Sequence, residues 1–213
     1  MNGVARIKKT SVSIGDPVIV TAGFSQILIY LGAYAYSTSA RAIANVTWDG
    51  RAFTQVQNRN WQVGGDPIWL KYAIYYLLNP TPKTGTFSVN YGLGVVLQFA
   101  NVDQDDPIID SDGTNREAGG TGTTPNIDTD YPRSYGVGVG VTNTANTPTI
   151  SSDNAGMVTE RSGNVSDYGF AMASVLNDAA TVDFTIHYGT ESVGVAGAVL
   201  RYKEQILASP LWF

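Results

Sequence analysis

Cysteine is absent from the 213 residues, and histidine occurs once. The first absence removes disulfides and thiolate metal sites, leaving stability to core burial and to contacts between subunits. The second leaves the common tetrahedral zinc sites unfillable and ties any Ser-His arrangement to His187, which no nucleophile elbow accompanies. Charge is sparse as well: 13 Lys and Arg stand against 18 Asp and Glu, 15% of the chain, for a formal net charge of −5. A mildly acidic surface lacks the field that gathers nucleic-acid phosphates, so nucleic acid is not an expected partner. The one basic cluster, Arg6, Lys8 and Lys9, reads as a solvated stretch near the amino end. No segment approaches the ~18 uninterrupted apolar residues of a membrane span, and no apolar run follows the first charges, so neither a membrane nor a secretion signal is expected. Glycine motifs that cradle phosphates are missing too, since the glycines at 119, 120 and 122 sit in a polar stretch with no helix behind them.

What is abundant is Gly, Thr, Ser, Val, Ala and Tyr, a mixture that suits pleated strands and tight turns and gives long helices little to work with. Period-two alternation recurs from residue 12 to residue 202. In residues 86–91, Phe87, Val89 and Tyr91 share one face, and Val182, Phe184, Ile186 and Tyr188 do so later, which turns His187 outward. Residues 27–36 and 68–78 are apolar or aromatic on both faces, as in central strands covered twice or met by a partner subunit. In residues 134–142, Val137, Val139 and Val141 alternate with Gly136, Gly138 and Gly140, so something must approach the bare face closely. Trp48 and Trp69 lie within strand patterns and read as core.

Dense Gly, Asp, Asn and Pro punctuation between short strands favours a sandwich. Residues 103–133, rich in Asp, Gly and Thr, read instead as one long connection crossing between sheets, as in a Greek key. The expected fold is all-β: an antiparallel β-sandwich, jelly-roll-like, with a Greek-key crossover and minimal helix. The boundaries are 1–23 for an amino-terminal arm and first strands, 24–202 for the sandwich domain, and 203–213 for an apolar docking tail. Leu211, Trp212 and Phe213 end that tail and need burial, either on the chain's own body or on a neighbouring subunit.

Two further groups are candidates for binding. Asp103, Asp105, Asp106, Asp110 and Asp112 offer the hard oxygens that calcium takes in irregular loops, yet they lack the EF-hand spacing and Asp is also an ordinary turn former. Trp61 sits in a polar stretch, residues 58–62, where an exposed indole would stack on a sugar ring or anchor a protein; the alternative is an anchor folded onto the sandwich edge. A glycosidase carboxylate pair among Asp128, Asp130, Glu160 and Glu191 would need a separation that a linear sequence does not show.

Residues 46–54 (VTWDGRAFT) are similar to a V-T-Y/W-x-G-x-x-L/F-T hairpin in which Asp49 and Gly50 make the turn. An aromatic strand follows at 69–80, then 85–91, then 95–108, whose close resembles an F-x-x-V-D-Q-x-x-P-I stretch ending at Pro107 and Ile108; a small-residue strand occupies 194–201. Together these resemble a family of β-sandwich domains found in phage structural proteins and in bacterial surface or secreted proteins. The resemblance spans about residues 24–202 and implies a structural role with no active site to transfer. It implies a virion protein, such as a capsid decoration or cement subunit on the particle exterior, that assembles with itself and with partners such as the major capsid protein. Interfaces are expected at the termini and on the Gly-faced strand. The other reading is a carbohydrate-binding module or adhesin domain on an extracellular surface, with Trp61 and loop tyrosines stacking on glycans. No enzyme is expected on either.

Overall fold

The computed structural model describes residues 4–13, 17–23, 25–36, 41–64, 68–116, 121–124, 126–129, 134–144, 146–165, 168–177, 179–187 and 193–203. Among them every regular element is a strand. The first half contributes β1 (Ala5–Val12), β2 (Val18–Ala22), β3 (Gln26–Tyr36), β4 (Thr47–Trp48), β5 (Arg51–Ala52), β6 (Thr54–Gln62), β7 (Trp69–Leu78), β8 (Lys83–Ser88) and β9 (Leu93–Ala100). The second contributes β10 (Ile108–Arg116), β11 (Thr121–Thr123), β12 (Ile127–Asp128), β13 (Ser134–Thr142), β14 (Thr149–Ser151), β15 (Val158–Val165), β16 (Tyr168–Asn177), β17 (Thr181–Val182), β18 (Thr185–His187) and β19 (Val193–Leu200).

Two five-stranded antiparallel sheets form the centre, in the orders β1-β9-β3-β7-β6 and β10-β19-β13-β16-β15. Their facing sides bury one large core that includes Ile27, Ile29, Leu31, Leu70, Tyr72, Phe99, Val137, Val139, Val141, Phe170 and Met172. The far side of the first sheet packs Leu28, Tyr30, Tyr75 and Val96 against Trp48 and Phe87 of an outer sheet, β2-β8-β4-β5. The far side of the second packs Ala171, Ala173, Val195 and Val199 against Phe184, Ile186, Val182 and Ile127 of an outer sheet, β11-β18-β14, and a strand pair, β12-β17. The molecule is therefore a stack of four β layers. Both inner sheets are covered on two faces, which is why β3, β7, β13 and β19 read as continuous apolar or small-residue runs.

The two halves repeat one topology. Counting along the chain, β1, β3, β6, β7 and β9 occupy the same places in the first inner sheet as β10, β13, β15, β16 and β19 in the second, and β2, β4 and β8 match β11, β14 and β18 outside. The register repeats too. Ile27 lies opposite Leu78 and Phe99, as Tyr135 lies opposite Leu176 and Leu200. Against that frame, the bulge between Arg6 and Lys8, opposite Phe99 and Gln98, falls where the bulge between Ile108 and Asp110 falls, opposite Leu200 and Val199. The bulge between Gln55 and Gln57, opposite Tyr75 and Ile74, matches the one between Thr159 and Arg161, opposite Ala173 and Met172. Bulges are retained features of related sheets, so two matched pairs identify the halves as structural repeats.

Local chemistry explains the elements. Asp49 and Gly50 have φ values of 50° and 81° between paired Trp48 and Arg51, the left-handed pair that a two-residue hairpin needs. The bare face of β13 is filled from within: a Cβ at Gly138 would lie 2.5 Å from the Phe184 ring and one at Gly140 would lie 2.3 Å from Ile186. The close approach expected there is real, but its occupant is the chain's own β17-β18 segment, so this strand is not free to form a subunit interface. A second correction concerns residues 103–133. The chain does pass here from one inner sheet to the other, between β9 and β10, but the connection is short and the rest holds β10, β11 and β12, because a sheet edge tolerates the polar run IIDSDGTNR.

Candidate functional site

The residues singled out from sequence do not converge. Trp61 is not in a loop: it belongs to β6 and is buried at 8% exposure, its ring 5.7 Å from that of Tyr72 and packed on Gly194 of the other half. It joins the two halves and offers no exposed stacking face. Leu211, Trp212 and Phe213 lie outside the described residues, as do Asp130 and Glu191.

The five aspartates spread along a turn and an edge strand. Asp103 Oδ1 accepts the amides of Asp105 at 2.8 Å and Asp106 at 3.1 Å, and these bonds hold its pKa below the usual carboxylate value. Asp106 pairs with Arg201 at 3.0 Å. Asp110 accepts the amides of Ser111 at 2.8 Å and Asp128 at 3.0 Å, and Asp112 accepts that of Gly113 at 2.6 Å. Among the described residues no three His, Asp or Glu side chains gather as a metal would require. The aspartates serve as turn formers and strand locks.

A charged cluster that sequence reading missed ties the halves together. The Glu160 side chain is fully buried at the β15 bulge, paired with Arg6 of β1 and accepting from the Ser174 hydroxyl. Lys9 Nζ donates to the Glu160 carbonyl at 2.9 Å and lies 3.9 Å from its carboxylate. Beside it, the Arg161 guanidinium donates to the carbonyls of Val12 and, at 2.6 Å, Gly94. Across the molecule, at the matching bulge of β6, Gln57 Nε2 reaches the Ser111 hydroxyl of β10 at 3.1 Å. The basic residues near the amino end are thus partly engaged, and the signal that marked their role was Glu160, the lone acidic residue of β15.

Other ionisable groups are enclosed. Lys71 is buried on β7, its Nζ 5.5 Å from the Tyr34 ring centroid; burial and the neighbouring Arg41 push its pKa down to about 8. Arg41 stacks over Tyr91 at 5.2 Å, and Tyr91 lies 5.7 Å from Tyr34. Burial pushes the Tyr72 hydroxyl up to about 12 and raises those of Tyr30 and Tyr168 further, so all three act as neutral packing groups.

The outward faces carry hydroxyls instead. On one outer sheet Thr21 bonds Thr84 at 2.9 Å and Thr47 bonds Ser88 at 2.8 Å; on the other, Thr123 bonds Thr185 at 2.9 Å and Ser151 bonds His187 Nε2 at 2.7 Å. The last contact has the distance of a nucleophile–base pair. It sits on an exposed strand surface, and Ser151 is the one described side chain bonded to the ring, so the carboxylate that would orient a catalytic imidazole is not among the described partners. A shallow hollow of about 230 Å³ lies elsewhere, lined among the described residues by Asn154, Ala155, Leu176 and Ala179.

A comparison with protein-family models, with curated proteins and with solved structures finds no match to this chain.

Proposed function

We propose that this chain is a structural subunit of a phage particle, a decoration or cement protein or another accessory component, that works on the particle exterior through contacts with its own copies and with partners such as the major capsid protein. The observation that carries this reading is the back-to-back stack of two like sandwiches. Its outer sheets face opposite ways, and each presents a firm surface ordered by paired hydroxyls. A block with a contact face at each end suits bridging and cementing. The same stack encloses Glu160, Lys71 and three tyrosines in packing roles, which suits rigidity more than turnover.

The glycan-binding alternative loses its leading residue, since the Trp61 indole is covered by Tyr72 and Gly194. Mass spectrometry of purified particles tests the proposal. The chain is expected in regular stoichiometry with the major capsid protein; a chain made in the same cells but missing from the particles, and selectively retained on a glycan array, would overturn it.

A further inference from the structure

The junction between the two repeats runs from Ala100, the end of β9, to Ile108, the start of β10. In it Asp106 precedes Pro107. An Asp-Pro bond is the peptide link most open to attack by its own side chain. The carboxylate closes a five-membered ring on the carbonyl carbon, and the tertiary amide nitrogen of proline, more basic than a secondary one, leaves readily once protonated.

The fold grips this residue from both sides. The Asp106 amide donates to Asp103 Oδ1 at 3.1 Å. The Arg201 guanidinium donates through Nε to the Asp106 carbonyl at 3.0 Å and pairs through Nη2 with Asp106 Oδ2 at 3.0 Å. One guanidinium thus holds the carboxylate and the carbonyl of the same residue side by side, with a donor on the oxygen where negative charge develops when the carbon is attacked. Beyond the bond, the Arg201 amide donates to the Pro107 carbonyl at 2.8 Å. The Asp106 side chain stands in water while Pro107 is buried.

We propose that the Asp106-Pro107 bond is a self-cleavage site that divides the chain into its two repeats, residues 1–106 and 107–213. Asp106 Oδ1 attacks its own carbonyl carbon, and the oxyanion forms on the oxygen held by Arg201 Nε. The C–N bond breaks, its electron pair and a proton from solvent going to the Pro107 nitrogen, and a cyclic anhydride is left on Asp106. Water opens the anhydride, so the net change is one hydrolysed peptide bond. The cut interrupts no strand, since β1 to β9 lie before it and β10 to β19 after it. The halves stay together through the core that contains Ile29, Tyr72, Val139 and Phe170. Cleavage therefore alters the covalent state and leaves the four-layer block whole, whether or not that block belongs to a particle.

Two further Asp-Pro bonds, after Asp16 and Asp66, serve as references within the same chain; both aspartates lie outside the described residues. The test is incubation of the intact chain in mildly acidic buffer, folded and in urea, followed by intact-mass spectrometry and sequencing of new amino termini. In the folded chain the bond after Asp106 should break at least tenfold faster than either reference, giving a fragment that begins at Pro107, while the size in native gel filtration stays unchanged. Urea should remove the preference. Arg201→Gln should slow the cut about tenfold or more, and so should Asp106→Glu, which keeps the charge but needs a six-membered ring; circular dichroism melts confirm that both variants fold. Equal cleavage at all three bonds in the folded chain, a preference that survives urea or Arg201→Gln, or a folded chain that stays whole would each overturn the proposal. A new terminus other than Pro107 would mark a contaminating protease and overturn it as well.

Discussion

A single carboxylate at the β15 bulge organises the contact between the halves. Glu160 is withdrawn from water and answered by Arg6, Lys9 and Ser174. Removing the guanidinium leaves a buried negative charge with thinner compensation, whereas removing the carboxylate leaves cations that can reach solvent. Arg6→Ala is accordingly expected to cost about 3 kcal/mol and Glu160→Ala less, in urea unfolding. At Gly138 the expected effect is steric. A methyl 2.5 Å from the Phe184 ring forces movement in a two-sided core, so Gly138→Ala should lower stability by about 1–3 kcal/mol. Lys71 provides a pH signature. Its pKa is about 8 in the fold and near 10.5 when unfolded, so above pH 8 the unfolded chain holds a proton that the folded one has released. Stability should therefore rise with pH from about 8 until the tyrosines ionise near 10, where their raised folded pKa values reverse the slope. Thermal melts across that range should show the rise in wild type and lose it in Lys71→Met.

Among elements, the inner strands were legible because burial on both faces leaves apolar runs, as in β3 and β7. Alternation likewise marked β8, with Phe87 in and Ser88 out, and placed His187 outward. The Asp49-Gly50 hairpin was legible because its backbone demands such residues. Edge strands were not. β6 carries Asn58, Arg59 and Asn60, and β10 carries Asp110, Ser111 and Asp112; an edge strand has half its backbone in water and needs little apolar area to stay paired, so its composition imitates a loop. That imitation misplaced Trp61 and suggested an acidic loop. The ion cluster was hidden for another reason: Arg6 and Glu160 are 154 positions apart, and their meeting is set by which sheet edges superpose.

At the scale of the whole molecule, the repeat had left a trace in residues 87–92 (FSVNYG) and 184–189 (FTIHYG), each opening with the Phe that covers an inner sheet. Elsewhere the halves share topology and bulge sites while their residues have diverged, so periodicity found strands without showing that the strands come twice. The shared core has a consequence for unfolding. Each half alone would expose the face that buries Ile29, Tyr72, Val139 and Phe170, so the chain should melt in one calorimetric transition with equal calorimetric and van't Hoff enthalpies. Two separate transitions would show that the halves are independent. The claim that this stack serves as a particle component is tested most directly by an electron cryo-microscopy reconstruction of the purified particle. The account predicts four-layer β density repeated over the outer surface. Particles that carry no such density, while the chain is abundant in the cells that made them, would contradict it.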